Sequence, residues 1–111
     1  MTTVTVLYDR GHIIGFDAEG HSGYADRDYD IVCAGVSSLT QTAYLGIAEL
    51  TAADVRVYQG DGALRLRLGH ELANKQREQA ELILETMVLG LRSIEENYGD
   101  YLKLIKREVK A

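Results

Sequence analysis

The 111-residue chain has one cysteine, Cys33, so it can form no internal disulfide. A lone thiol fits a reducing compartment, and the expected location is cytoplasmic. The length is that of a single domain spanning 1–111, large enough to bury a real core without disulfide or metal staples. The three histidines and one cysteine are scattered at spacings that match no zinc pattern, so no metal is expected. No apolar run follows a basic start, so no signal peptide is expected. No stretch reads as the ~20 apolar residues of a membrane span, and no membrane partner is expected. The glycine-bearing Gly60-Asp61-Gly62 lacks the Lys-Ser or Lys-Thr of a phosphate loop, and no cofactor is expected. Repeats, low-complexity tracts and linkers are missing too. Positive charge is in deficit: the net charge is −5. That argues against nucleic-acid binding over a broad surface, which relies on neutralising phosphates, and no direct nucleic-acid partner is expected. The same charge suits a basic protein partner.

What is present alternates in pattern. Residues 3–8 are β-branched and alternating, which predicts a strand. Asp9-Arg10-Gly11 reads as a turn, and residues 12–19 as a second strand antiparallel to the first. Residues 31–50 follow helical spacing, with Val32, Val36, Leu39, Ala43, Ile47 and Leu50 as the apolar stripe. Gly35 and Gly46 weaken this helix, each by up to ~1 kcal/mol against Ala. Gly35 permits either a close approach near Cys33 or tight packing on the sheet. Residues 54–59 and 63–68 flank Gly60-Asp61-Gly62 as a hairpin. Its one face is apolar, and its other carries Arg56, Arg65 and Arg67. That strip invites a nucleic-acid reading, but a solvated sheet face on an acidic protein accounts for it. Residues 72–98 form a second helix with Ala80, Ile83, Met87, Leu91, Ile94 and Tyr98 as its stripe. Leu82 and Leu89 widen the stripe beyond one face, and a homodimer is expected to cover them. Glu78, Glu81 and Glu85 read as a solvated edge, and Glu95 and Glu96 as poor candidates for paired carboxylates. Gly99 is a natural cap. Residues 101–109 read as a closing strand, with Lys103, Lys106 and Lys110 suited to an edge. The order β-β-α-β-β-α-β predicts an α+β fold: a two-layer domain with a mixed five-stranded sheet and both helices packed on one face.

Residues 20–37 carry the chemistry. Their first half is a polar, glycine-bearing loop; their second half starts with an acid and turns apolar, as a helix start does. His21 lies twelve residues before Cys33, across that loop. A lone cysteine with a histidine brought near it by the fold is a candidate nucleophile and base. With Asp30 as N-cap, Cys33 takes the third helical position, where the carboxylate can accept the amide of Val32 or Cys33. The positive end of the helix dipole favours a thiolate, and free amides there could hold an oxyanion. A free thiol titrates near pH ~8.5, so it needs such help at neutral pH. Asp30 opposes the dipole in part, and a protonated His21 would offset that. Ser37, one turn on, either lines the site or bonds back to the Cys33 carbonyl. His12 is a rival base, but it sits at the far end of its strand and reads as a surface residue. The loop 22–29 is longer than most connections and is expected to order around a substrate. Against all this, Cys33 sits among Ile31, Val32, Ala34 and Val36, as a small buried hydrophobe would. Spacing alone leaves both readings open.

The same stretch closely resembles the signature of the Prp family of ribosomal-processing cysteine proteases. The shared elements are Gly20-His21, Tyr24-Ala25, the block Asp30-Ile31-Val32-Cys33-Ala34, and Val36-Ser37. The likeness extends to His12-Ile13-Ile14-Gly15-Phe16 before it, and to Leu84-Glu85-Thr86-Met87 through Gly90-Leu91 near the end. It implies an endopeptidase that trims an N-terminal extension from a large-subunit ribosomal protein, the one numbered twenty-seven, during ribosome maturation. The family's Cys-His pair maps onto Cys33 and His21. Asp30 and Ser37 are supporting residues, and no third triad member is evident. The family often has a glycine two residues before the signature Asp; Asp28 stands there in this chain, which stiffens the loop and adds charge. The alternative is a non-catalytic protein that docks on a basic ribosomal partner, with Cys33 structural.

Overall fold

In a strand, successive side chains alternate between faces, and the first strand shows what that alternation buries. In the computed structural model, Val4 and Val6 are 0% and 2% exposed and face the helices, while Thr5 and Leu7 point the other way and are nearly as buried, at 8% and 5%. The structure describes residues 1–20 and 30–109; His21, the loop 22–29 with Asp28, and Lys110 lie outside the described residues.

The elements are β1 (Thr2–Asp9), β2 (His12–Glu19), α1 (Ile31–Leu50), β3 (Val55–Gly60), β4 (Ala63–Leu68), α2 (Asn74–Tyr98) and β5 (Leu102–Glu108). They form one five-stranded sheet in the order β3-β4-β2-β1-β5. Three neighbouring pairs are antiparallel; β5 runs parallel to β1 at one edge, so the sheet is mixed. The fold is the expected α+β arrangement. The β1–β2 turn is tight because Arg10 and Gly11 both adopt positive φ, 53° and 82°, which matches the twist of a two-residue hairpin. A bulge between Leu7 and Tyr8 leaves Ile14 as the extra residue of β2. Gly15 must be glycine: a Cβ there would run into the Leu66 carbonyl of β4.

The core lies between sheet and helices. Val6, Phe16, Leu66 and Val57 face each other across four strands, and α1 and α2 close over that row. α1 buries Val32, Val36, Thr40, Ala43 and Ile47. Leu50, expected in the stripe, is 78% exposed at the helix end, and Thr40 is buried in its place. The Thr40 hydroxyl donates to the Val36 carbonyl at 2.9 Å, which satisfies it inside the core. α2 begins at Asn74 and buries Ala80, Leu84, Met87, Val88 and Leu91. Its stripe is thus set by Leu84 and Val88, while Ile83 sits in the seam with α1, beside Gly46. Gly35 allows close packing, but against Ile94 of α2 rather than on the sheet.

One expectation from composition needs correction. α1 is long and apolar enough to cross a membrane by those two measures, with a mean hydropathy of 1.4. Its buried stripe is committed to the sheet and to α2, as in the core helix of a globular fold.

Candidate active site

Asp30 stands at φ −78°, ψ 93°, an extended conformation just before α1. Its carbonyl accepts the first helical bond, from the Ala34 amide at 3.0 Å. Its carboxylate accepts the Cys33 amide at 2.9 Å. One residue therefore ends the loop, caps the helix and pins the backbone of the cysteine. Asp30 is only 6% exposed, so this is a buried carboxylate. Buried carboxylates are costly unless hydrogen-bonded, which ties Asp30 to its place.

Cys33 is a free, half-buried thiol in the first turn of α1. Val32 beside it turns into the core, and Ile31 turns outward. The thiol lines a cleft of about 200 Å³. Along α1 the wall is Cys33, Val36, Ser37, Thr40 and Gln41. The opposite wall is the end of β2 at Glu19 and Gly20, with the β3–β4 hairpin end at Gln59, Gly60, Gly62 and Ala63. The pairing of Glu19 with Ala63 brings that hairpin end beside the exit of β2. Gly20 (φ 89°) donates its amide to the Gly62 carbonyl at 3.0 Å, and the chain leaves β2 there, immediately before His21.

Of the residues picked out by the sequence, the structure brings Asp30, Cys33 and Ser37 together on one helix start. Ser37 lines the cleft, and its hydroxyl accepts the Gln41 side-chain amide at 2.9 Å. His21 lies outside the described residues. His12 is at the other end of the sheet, in a separate cavity, with Nδ1 2.7 Å from Glu81 Oε1. Glu81 is therefore more than part of a solvated edge: its side chain is 23% exposed and lies against His12, with Oε1 buried and making no hydrogen bond among the described residues. Glu95 has a structural task as well, accepting the Leu104 amide at 2.6 Å. Among the described residues no cluster of His, Cys, Asp or Glu could hold a metal ion.

The wall formed by Gln59, Gly60, Gly62 and Ala63 was not legible as part of a site. Its sequence signal is that of a turn, and only the long-range pairing of β2 with β4 places it opposite Cys33.

A cleft with a thiol at a helix start on one side and a strand end on the other can receive an extended peptide across the nucleophile. Known proteins carry the same arrangement of elements. The chain matches the family described as cysteine protease Prp over residues 1–103. It is 29% identical over 104 residues to the ribosomal processing cysteine protease Prp of Bacillus subtilis, covering 92% of each chain. It is 30% identical over 107 residues to the protein of that name from Staphylococcus aureus, covering 94% of this chain and 97% of that one. The crystal structure of S. aureus Prp with a covalently linked product peptide superimposes at a TM-score of 0.86, with 29% identity, over 96% of this chain and 100% of that chain. The structure of S. aureus Prp with a substrate peptide gives a TM-score of 0.81 at 28% identity, over the same shares.

Proposed function

Since the chain belongs to the Prp family of cysteine proteases, we propose that it removes the N-terminal extension of the large-subunit ribosomal protein numbered twenty-seven, using Cys33 as nucleophile and His21 as base. Membership itself makes this a ribosomal-processing cysteine protease. The observation that carries the proposal is the position of Cys33, in the capped first turn of α1 and open to the cleft.

His21 takes the thiol proton, and the thiolate attacks the scissile carbonyl. The tetrahedral oxyanion needs donors. Asp30 already occupies the Cys33 amide, so the amides of Ile31 and Val32 at the dipole's positive end fall to the oxyanion. Collapse of the intermediate breaks the C–N bond, and His21 returns its proton to the leaving amine. Water then adds to the thioester, with His21 again taking a proton, and the acid product leaves Cys33 as a thiol. Asp30 holds the backbone of the nucleophile, and Ser37 shapes the cleft floor. S. aureus Prp has been seen with a substrate peptide and with a covalently linked product peptide, which supports a peptide occupant for the equivalent cleft here.

The reading includes a cytoplasmic location and a homodimer. Leu82 and Leu89, seven residues apart on α2, are 69% and 64% exposed on one side of the helix, and a second copy is their natural cover. The deciding experiment is incubation with the extended ribosomal protein, followed by mass measurement of the products. A mass loss equal to the extension, missing with Cys33→Ala, is the expected result; an uncleaved substrate would overturn the assignment.

A further inference from the structure

Both helices cover one face of the sheet, and no described element packs on the other, although Thr5 and Leu7 at its centre are only 8% and 5% exposed. The strand register arranges that open face in rows. One row runs Arg56, Arg67, Gly15, Leu7, Arg107 from β3 to β5. The next runs Tyr58, Arg65, Asp17, Thr5, Ile105, and a third includes Glu19, Thr3 and Lys103. These rows hold five cations against two carboxylates, and Asp9, next in the alternation of β1, adds a third carboxylate to the face, in a chain whose net charge is −5. Overall charge conceals this segregation, and it is local charge that a bound polyanion meets.

The two carboxylates in the rows are already engaged. Asp17 accepts from Arg67 Nη1 at 2.8 Å, and Glu19 lies 3.7 Å from Arg65. Among the described residues Arg56, Lys103 and Arg107 make no ion pair. Arg56 lies directly opposite Arg67, whose own charge is met by Asp17. Tyr58 is 61% exposed, with Arg65 opposite it and Arg56 two residues away on the same face. At the Arg56–Arg67 end, the face opens into a cavity of about 590 Å³ to which Arg10 and Arg77 add guanidinium groups and Asp9 and Glu81 add carboxylates. The free cations stand on the two edge strands, Arg56 on β3 and Lys103 and Arg107 on β5, with the exposed ring of Tyr58 beside Arg56 on β3; a single strand laid across the sheet could set phosphates on the cations and a base on the ring, with little regard to sequence.

We propose that the open sheet face binds single-stranded RNA, with phosphates on Arg56, Lys103 and Arg107 and a base on Tyr58. The choice of RNA among phosphodiesters rests on the ribosomal-processing reading above. The surface is on the sheet face opposite the helix that carries Cys33, so it would hold the protease beside its substrate without entering the cleft.

The test is fluorescence anisotropy of a labelled oligouridylate of ~12 nucleotides, a length within the usual footprint of such surfaces, titrated with the full chain. Three phosphate contacts predict a slope of log affinity on log salt of about −2. Tyr58→Ala should weaken binding at least ~5-fold while Tyr58→Phe retains it. Arg56→Gln and Arg107→Gln should each weaken binding and make the salt slope shallower by ~0.7. All four variants should cleave a short substrate peptide as the parent does, so a failure here is distinguishable from failure of the protease assignment. The proposal is overturned by no binding at low salt, by variants that bind as tightly as the parent, or by equal affinity for oligoglutamate.

Discussion

The amide of Gly20 donates to the carbonyl of Gly62 at 3.0 Å, joining the residue before His21 to the turn of a hairpin far away in sequence. Both residues have positive φ, 89° and 67°, so two glycine conformations meet at one edge of the Cys33 cleft. A side chain at position 20 would also crowd β1, because its Cβ would lie 2.6 Å from the Met1 carbonyl oxygen. Gly20→Ala should therefore lower stability by more than the ~1 kcal/mol cost of left-handed alanine, a fall of at least about 4 °C in Tm for a domain of this size. Cleavage at 25 °C should fall further than the folded fraction accounts for, since the exit toward His21 is re-aimed. Thermal denaturation together with peptide cleavage checks both; full activity in a folded variant would show that the β2 exit does not position the base.

Asp30 and Cys33 separate stability from chemistry. Cys33→Ala should abolish cleavage and leave the circular dichroism spectrum unchanged, and Cys33→Ser should be nearly as inactive. Asp30→Ala removes the acceptor of the Cys33 amide and should cost about 1 kcal/mol or more, the usual worth of an N-cap. Asp30→Asn keeps an acceptor and should recover most of that stability. Equal Tm values for Asp30→Ala and the parent would show that the cap contributes nothing here.

The two histidines make opposite forecasts. His12 is held near Glu81, in a cavity that does not include Cys33. His12→Ala should leave cleavage and the alkylation rate of Cys33 unchanged, while His21→Ala should lower both strongly near neutral pH. The check is iodoacetamide labelling across pH, read by intact mass. Parent-like labelling of the His21 variant at every pH would remove it as the partner of the thiol.

The sequence carried the elements and the helix-start half of the site because both rest on local patterns. Alternation marked β1 and β4, and Asp30 before an apolar periodic run marked the cap that the structure places 2.9 Å from the Cys33 amide. Strand order was not legible, since β5 joins β1 in parallel and β2 joins β4 across the intervening α1 and β3, pairings with no local signal. The cleft wall at Gln59 to Ala63 was hidden for the same reason. The arginine strip was visible, but not that Lys103 and Arg107 extend it across the sheet, which only the register shows. Thr40 in place of Leu50 is a matter of position: the end of α1 runs beyond the sheet that would have covered Leu50.

Tyr8 forecasts an alkaline weakness. Burial raises its phenol above the usual value, Glu85 adds to that, and Arg92 opposes it. The unfolded chain begins to lose this proton near pH ~10, while the folded state still holds it. Over that interval the folded state binds more protons, so stability falls as pH rises. The contribution is fully present below the unfolded pKa and is lost as pH climbs through the folded one. Tyr8→Phe keeps the ring over which the Lys106 ammonium sits at 4.5 Å and removes the titration. Urea denaturation from pH ~8 to ~11 should show a shallower decline for Tyr8→Phe than for the parent; parallel curves would mean that Tyr8 is not a source of the loss.

The interhelical seam sets a ranking of glycine substitutions. A Cβ on Gly46 would meet Ile83 Cδ1 and Cγ2 at 3.6 Å each, ordinary van der Waals contact. Gly46→Ala should therefore gain close to the full helix-propensity difference of ~1 kcal/mol, or about 4 °C in Tm. On Gly35 the Cβ would lie 3.2 Å from Ile94 Cδ1, so the end of a flexible side chain must give way. On Gly90 it would lie 2.9 and 3.0 Å from the two Cδ atoms of Leu39, forcing that side chain to turn inside the seam. The expected order of Tm is Gly46→Ala highest, then Gly35→Ala, then Gly90→Ala. Gly46 is more than three turns from Cys33 on α1, so its variant should cleave peptide at the parent rate. Thermal scans of the three proteins decide the matter: a loss of stability in Gly46→Ala would mean that α1 and α2 have no room for even one methyl group at their contact.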